Sequence, residues 1–248
     1  VVVINGFKQW DEWYKNRKIK THKVHAESTW EQNQGVIFEG DGALEYGIVK
    51  GEHVVPLFDY HPAGITAKNY QQRLALHILK DKNIPLKIIS GVAGSGKTLL
   101  ACAHAIEQYR RGNKGRIIIA KSMTPVGREI GHLKGSMHEK VKPWLGPFYD
   151  NFLQCGMPNY ELDKMMDVGE LEITPITFIQ GRSITDCIII IDEVQNLDMD
   201  VLKQIITRAG EGSEIILLGD QSQVFEQRVK NRSIDVLVEK SGSSGLVG

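Results

Sequence analysis

The sequence predicts an α/β fold: a parallel sheet covered by helices, preceded by a small β-rich segment. Three observations carry this. From residue 66 onward helical and strand patterns alternate, which argues for parallel strands joined by helical crossovers. The strand candidates are short, continuous, β-branched runs such as Ile188-Ile-Ile-Ile191, the composition of strands buried on both faces. One glycine-rich stretch, residues 91–98, lies directly between such a strand and a helix.

Taken in order, residues 8–18 place Trp10, Trp13 and Tyr14 among charges, which reads either as a short amphipathic helix or as an arm that orders on a partner. Residues 1–25 carry Lys8, Lys15, Arg17, Lys18, Lys20 and Lys23 against Asp11 and Glu12, whereas residues 26–60 carry seven acids against Lys50 alone. The first part is therefore expected to be a basic arm (1–25), the second a β-rich module (26–64). In that module three β-rich segments between 35 and 58, separated by Gly-Asp-Gly and Lys-Gly-Glu-His, suit an antiparallel meander.

The main domain is expected over 65–248. Its elements begin with a helix near 68–80, a strand over 86–90 and a helix from Lys97 to about Arg111. Further strands are expected over 116–120, 176–179, 187–191 and 214–218. Residues 122–170 break this rhythm with four prolines and the run Lys140-Val-Lys142-Pro-Trp144-Leu-Gly-Pro-Phe148-Tyr149, and read as a helical insertion.

Composition bounds the function. Hydrophobic residues make up 42% of the 248 and charged residues 24%, and no apolar run approaches the ~18 residues of a membrane span, so no membrane association is expected. Thirty basic residues balance thirty acidic ones, which removes the global basicity that by itself marks a nucleic-acid binder. Cys102, Cys155 and Cys187 follow no metal or redox spacing and fit reduced thiols in a cytoplasmic protein. The chain opens Val-Val-Val-Ile without methionine and ends in a Ser/Gly run, which reads as a fragment at both ends.

The chemistry is concentrated in residues 91–98, Gly91-Val92-Ala93-Gly94-Ser95-Gly96-Lys97-Thr98, which fit G-x-x-x-x-G-K-[ST] and run into Leu99 and Leu100. Glycines let the backbone wrap closely, so that successive N–H groups and a helix N-terminus face phosphate oxygens. Lys97 would neutralise β- and γ-phosphate charge, and the Thr98 hydroxyl would ligate Mg²⁺. Asp192 and Glu193 end an apolar strand, where a carboxylate faces the ligand crevice of a parallel sheet. In partnership with the loop, Asp192 would hold Mg²⁺ and Glu193 would orient or deprotonate the attacking water.

Around this pair the signals are less specific. Gly219-Asp220-Gln221-Ser222-Gln223 follows the last strand and reads as a turn or as a segment, with Asp220 and Gln223, that couples phosphate occupancy to movement. Gln72 opens a helix and reads equally as an adenine selector or a surface amide. Arg128, Arg182 and Arg208 are candidates for stabilising transition-state charge, set against the commoner role of a surface arginine.

Taken together these motifs resemble the PhoH family of P-loop ATPases, relatives of superfamily 1 helicases, over about residues 66–226. The resemblance rests on Asn69-x-x-Gln72, Gly91 to Leu100, Pro125-Val-Gly-Arg128-Glu-Ile-Gly131, Glu139-Lys-x-x-Pro143-Trp144, Tyr149-Asp150, Gln180-Gly-Arg182-Ser183, Asp192-Glu-x-Gln195-Asn196-Leu197, Thr207-Arg208-Ala-Gly-Glu-Gly and Gly219-Asp-x-x-Gln223. It implies a RecA-like core that hydrolyses ATP with Mg²⁺, acts on single-stranded RNA and assembles as a homo-oligomer, with a hexameric ring as one form. Family members with a PIN nuclease domain in front resemble RNA-unwinding ribonucleases; the ~65 residues before the core here are too few for such a domain. Where the family's arginine motif reads Arg-Gly-Arg, this chain has Gln180 first and retains Arg182.

Two functional classes follow. One is an ATP-driven motor on RNA, with cations of the insertion offered for phosphate contact and the aromatics Trp144, Phe148 and Tyr149 read either as base-stacking groups or as packing that holds the insertion on the core. The other is an ATP-switched assembly module without motor activity, with the basic arm and its Trp10 and Trp13 as a partner-binding strap. A small-molecule kinase shares the loop but suits Glu193 poorly, since a water-activating carboxylate wastes ATP.

Overall fold

The structure, a computed structural model, describes residues 2–24, 30–121, 137–176, 179 and 184–220. The described residues divide into two compact units, 2–24 with 30–60 and 67–84, and 61–66 with 85–220.

In the first unit β1 (Val2–Asn5), β2 (Ile19–Lys20), β3 (Gly35–Gly40), β4 (Ala43–Lys50) and β5 (His53–Pro56) form one sheet in the order β1-β3-β4-β5-β2. β3, β4 and β5 are the antiparallel meander that the turn signals predict, with Asp41 and Gly42 both at positive φ in the tight turn between β3 and β4. β1 then pairs with β3 in parallel and β2 with β5 antiparallel.

The basic arm expected over 1–25 is therefore corrected: its described residues fold into β1, α1 (Trp10–Asn16), β2 and α2 (Thr21–Val24). The physical reason is Trp13. Its ring is fully buried among Phe7, Val36, Phe38, Val49 and Val54, edge-on to Phe38 at 4.8 Å between centroids. Burying so large a side chain contributes about 3 kcal/mol, enough to order a short helix that propensity alone would not hold. The six cations of the segment stay exposed on the outside.

α3 (Tyr70–Lys80) also belongs to this unit, so the boundary expected at residue 65 is displaced. Asn69 caps it, its side chain accepting the Gln72 N–H at 2.9 Å, and Tyr70 and Ile78 pack with Ile48, Leu57 and Ile84. The approach is close at Gly35: a Cβ there would collide with Tyr70 Oη and sit 2.8 Å from Leu74 Cδ2.

The second unit is built on five parallel strands, β6 (Leu86–Ser90), β7 (Arg116–Lys121), β8 (Leu171–Pro175), β9 (Cys187–Asp192) and β10 (Glu214–Gly219), in the order β6-β10-β9-β7-β8. α4 (Lys97–Arg110), α5 (Met137–Gln154), α6 (Asn159–Asp167) and α7 (Met199–Ile206) accompany it. Ile117–Ala120, Cys187–Ile191 and Ile215–Leu218 are buried throughout, as continuous apolar runs require. The strand expected over 176–179 falls partly outside the described residues, and Ile176 itself lies in a helical turn. The strand beside β7 is β8, whose mixed sequence Leu-Glu-Ile-Thr-Pro suits the outermost position in the sheet. The expected insertion is helical where described, as α5 and α6; residues 122–136 lie outside the described set.

One ionic cluster sits inside this unit. Lys87 Nζ lies 2.8 Å from Glu214 Oε1, and His104 Nε2 lies 2.9 Å from the same oxygen. The cluster ties β6, α4 and β10 together near the amino ends of the two strands. Among the described residues no helix is long and apolar enough to cross a membrane.

Candidate active site at the sheet edge

The carboxyl ends of parallel strands share one edge of a sheet, and polar residues placed there converge. β6, β10, β9 and β7 end at Ser90, Gly219, Asp192 and Lys121. Register pairs Ser90 with Gly219 and Lys121 with Asp192. One strand, β10, separates the strand that feeds the glycine-rich loop from the strand that carries the two acids.

The loop is held at its start by the Gly91 N–H, which donates to Gly219 O at 3.1 Å. Gly94 (φ +75°) and Gly96 (φ +88°) take left-handed conformations that residues with a Cβ rarely adopt, and Gly96 caps α4. The first N–H groups of α4 have no intrahelical acceptor and carry the positive end of the helix dipole, so Lys97, Thr98 and Leu99 open an anion-binding terminus. Val92, Ala93 and Gly94 form the exposed tip. The Lys97 ammonium turns back across the loop and donates to Gly91 O at 2.5 Å and Val92 O at 3.0 Å.

Asp192 is largely buried at the end of β9. Burial raises its pKa above the ordinary carboxylate value, and the neighbouring Glu193 raises it further; Lys121, the Glu193 N–H and Lys97 act in the opposite direction. Lys97 and Lys121 therefore both act electrostatically on this carboxylate. Glu193 follows in the left-handed region at φ +59°, its N–H bonded to Asp192 Oδ1 at 3.0 Å, a conformation costly for a residue with a side chain and typical of functional positions. The Gln195 side chain, fully buried, donates to Glu193 Oε2 at 2.6 Å and accepts the Asp220 N–H at 3.0 Å. Asp220 is itself buried.

The structure thus brings together the residues 91–99, Asp192, Glu193 and Asp220. It does not bring Arg208 to them. Arg208 O accepts the Ile184 N–H, ahead of the first residue of β9, so Arg208 lies at the amino edge of the sheet with its side chain exposed. A helix running back along the sheet carries it to the end opposite Asp192 and Glu193. Gln72 lies in the first unit, in the first turn of α3, where its Oε1 accepts the Lys68 N–H at 2.8 Å. Arg128, Arg182 and Gln223 lie outside the described residues, as do the side chains of Lys140, Lys142 and Trp144. Phe148 is buried, and the Tyr149 hydroxyl donates to Asp163 Oδ1 at 2.7 Å; of the two readings of Phe148, packing into the core is the one the structure shows.

Two residues were missed by sequence reasoning. Lys121 had a readable signal, a cation ending an apolar strand as Asp192 ends β9. Gln195 stands in the motif Asp192-Glu-x-Gln195-Asn196-Leu197, but its role was not readable there, because it depends on a bond to a segment 25 residues away.

Hard oxygen donors on Thr98 and Asp192, beside a loop built for anions, fit a Mg²⁺–nucleotide complex. A family profile described as PhoH-like protein matches residues 64–244. Protein PhoH2 of Bacillus subtilis is 44% identical over 170 residues, 67% of this chain and 38% of that protein. Protein PhoH2 of Mycolicibacterium smegmatis is 33% identical over 180 residues, 71% of this chain and 41% of that protein, and a PhoH-like protein of Synechocystis is 32% identical over 159 residues, 64% and 48%. The chain spans about two fifths of the length of the PhoH2 relatives it matches. A match over most of the chain, on the residues that build this edge, places it: the chain belongs to the PhoH family of P-loop nucleoside triphosphatases.

Proposed function

We propose that this chain is a Mg²⁺-dependent ATPase with a RecA-like core, and that its turnover is coupled to single-stranded RNA. Family membership supports ATP binding and hydrolysis in general terms. The observation that carries the reading is the juxtaposition at one sheet edge of the Gly91–Thr98 loop with Asp192 and Glu193, one strand apart.

The loop N–H groups and the α4 terminus bind the phosphates, and Lys97 exchanges its two carbonyl bonds for β- and γ-phosphate oxygens. Thr98 and Asp192 would hold Mg²⁺, which would supply charge neutralisation for the phosphates. Glu193 orients a water whose oxygen attacks the γ-phosphorus and accepts its proton, while the bond to the β-γ bridging oxygen breaks and ADP and phosphate depart. The RNA partner is supported by the family resemblance and by the cations of the insertion, not by Phe148, which is buried. Arg208, exposed at the amino edge, fits a role across a subunit interface in a ring-shaped homo-oligomer, for which a hexamer is the first form to test. The assembly-module reading loses the free arm that motivated it, since Trp13 is core.

The test is ATP hydrolysis with and without single-stranded RNA at two salt concentrations, with Glu193→Gln as control. RNA stimulation lost in the variant, which still binds nucleotide, is the expected result; turnover indifferent to RNA would sink the coupling and leave the ATPase.

A further inference from the structure

The mechanism above uses Glu193 and leaves open what aims it. A carboxylate on a flexible side chain reaches a productive geometry only if its neighbours fix its rotamer, and a misplacement of about 1 Å can cost on the order of 10²-fold in rate. Here the backbone contributes by holding Glu193 at φ +59°. Among the described residues the side chain is held by the Gln195 amide, at 2.6 Å from Glu193 Oε2. That amide has no freedom of its own. It lies in the short helical turn Val194–Asn196, fully buried, with its oxygen taken by the Asp220 N–H.

From this geometry we infer that Gln195 is the positioning residue for Glu193, and that it makes the activity of Glu193 depend on the backbone at Asp220, where the chain leaves β10. The inference rests on the reading of Glu193 as the water-orienting carboxylate. Gln195 is suited to this as no other side chain of its size is. Its amide presents a donor and an acceptor on one rigid plane, so the donor's direction toward Glu193 is set by where the acceptor is held. The Asp220 N–H belongs to the residue after Gly219, and Gly219 O in turn accepts the Gly91 N–H that begins the phosphate-binding loop. A continuous hydrogen-bonded path thus runs from the loop through the end of β10 to Glu193. Displacement of the backbone at 219–220 when phosphate enters or leaves the loop rotates the amide and with it the carboxylate. Buried polar networks of this kind are costly to leave half satisfied, which favours two discrete arrangements over a continuous one.

The experiment is steady-state ATP turnover and direct nucleotide binding for the chain, Glu193→Gln, Gln195→Met and Gln195→Glu. Methionine keeps the length and removes both bonds; glutamate keeps an acceptor for the Asp220 N–H and removes the donor to Glu193. Both Gln195 variants are expected to lose kcat about tenfold or more while KM and the dissociation constant of a fluorescent ADP analogue stay within about threefold, the split expected when a group matters only in the transition state. Placed on Glu193→Gln, Gln195→Met is expected to add no further loss in single-turnover rate, because the two residues act as one unit. Retained nucleotide binding reports that each variant is folded. If Gln195→Glu keeps the parent kcat, or Gln195→Met raises it, Gln195 does not position Glu193 and the inference is overturned. If instead Glu193→Gln turns over ATP at the parent rate, it is the hydrolytic reading of Glu193 that fails.

Discussion

Lys87 and Glu214 form an ion pair in the interior of the second unit, 2.8 Å apart, with the lysine wholly buried and His104 on the same carboxylate oxygen. Such pairs add little net stability compared with a well-packed apolar substitute, yet removing one partner leaves a charge in a low-dielectric interior. Glu214→Gln is therefore expected to destabilise the chain by roughly 3–5 kcal/mol. Chemical denaturation of the two proteins measures it. A difference below about 1 kcal/mol would mean that Lys87 is relieved by other means.

Asp192 presents the opposite case, a charge kept at a cost. Burial and Glu193 hold its pKa above the ordinary value, so its ionised form is penalised in the folded state. The linked stability is greatest when the carboxyl is protonated and is lost as pH rises from 3.8 through the higher folded value. At neutral pH, Asp192→Asn removes that penalty and keeps the oxygen that accepts the Glu193 N–H. The nucleotide-free variant is expected to melt about 2 °C or more above the parent while losing ATP turnover, the exchange expected at a strained site. Thermal unfolding without nucleotide decides it, and a lower Tm would contradict the assignment.

Gly35 reports on the first unit. A Cβ at this position collides with Tyr70 Oη and crowds Leu74, so Gly35→Ala is expected to destabilise by about 1–3 kcal/mol. Tyr70→Phe removes the nearest colliding atom, whose bond to Gly47 O is long at 3.5 Å. The double variant should recover part of the loss. Strict additivity of the two changes in a double-mutant cycle would show that the contact is not the cause.

The legible parts of this molecule are those whose signal is local. The loop at 91–98 and the run ending in Asp192-Glu193 announce their geometry because strand, turn and helix are consecutive in the chain. β1 was not legible, and α1 was legible only as one of two readings of residues 8–18. β1 pairs with β3 across more than thirty residues, and Trp13 reads as surface aromatic until Phe38 and Val54 are placed beside it. The same holds for α3, whose apolar stripe suits either unit until Ile48 and Leu57 are seen against it. Arg208 shows the limit for the site: its motif is readable, but the edge of the sheet it reaches depends on the direction of the helix before it.

His77 gives the first unit its own pH signature. It is buried against Phe58, ring centroids 3.9 Å apart, and its Nδ1 accepts the Phe58 N–H at 3.3 Å, so the neutral ring is the form that fits. Burial pushes it down to about 4, and Lys50, Lys80 and Arg73 push the same way against Asp81. A histidine whose folded pKa lies below its unfolded one contributes stability that is complete above about pH 6.5 and lost as pH falls through about 4. The whole contribution is roughly 3 kcal/mol at most. Glu214, held below 4.5 by His104 and Lys87 despite its burial, contributes stability that is lost only as pH falls below that value, so the two windows separate. His77→Gln keeps an acceptor for the Phe58 N–H and does not titrate. Between pH 7 and 4.5 the unfolding free energy of the parent is expected to fall more steeply than that of His77→Gln, with the curves running parallel at lower pH. Parallel curves across the whole range would show that His77 is protonated without penalty, and that the stacked, neutral ring does not contribute to holding Phe58 in place.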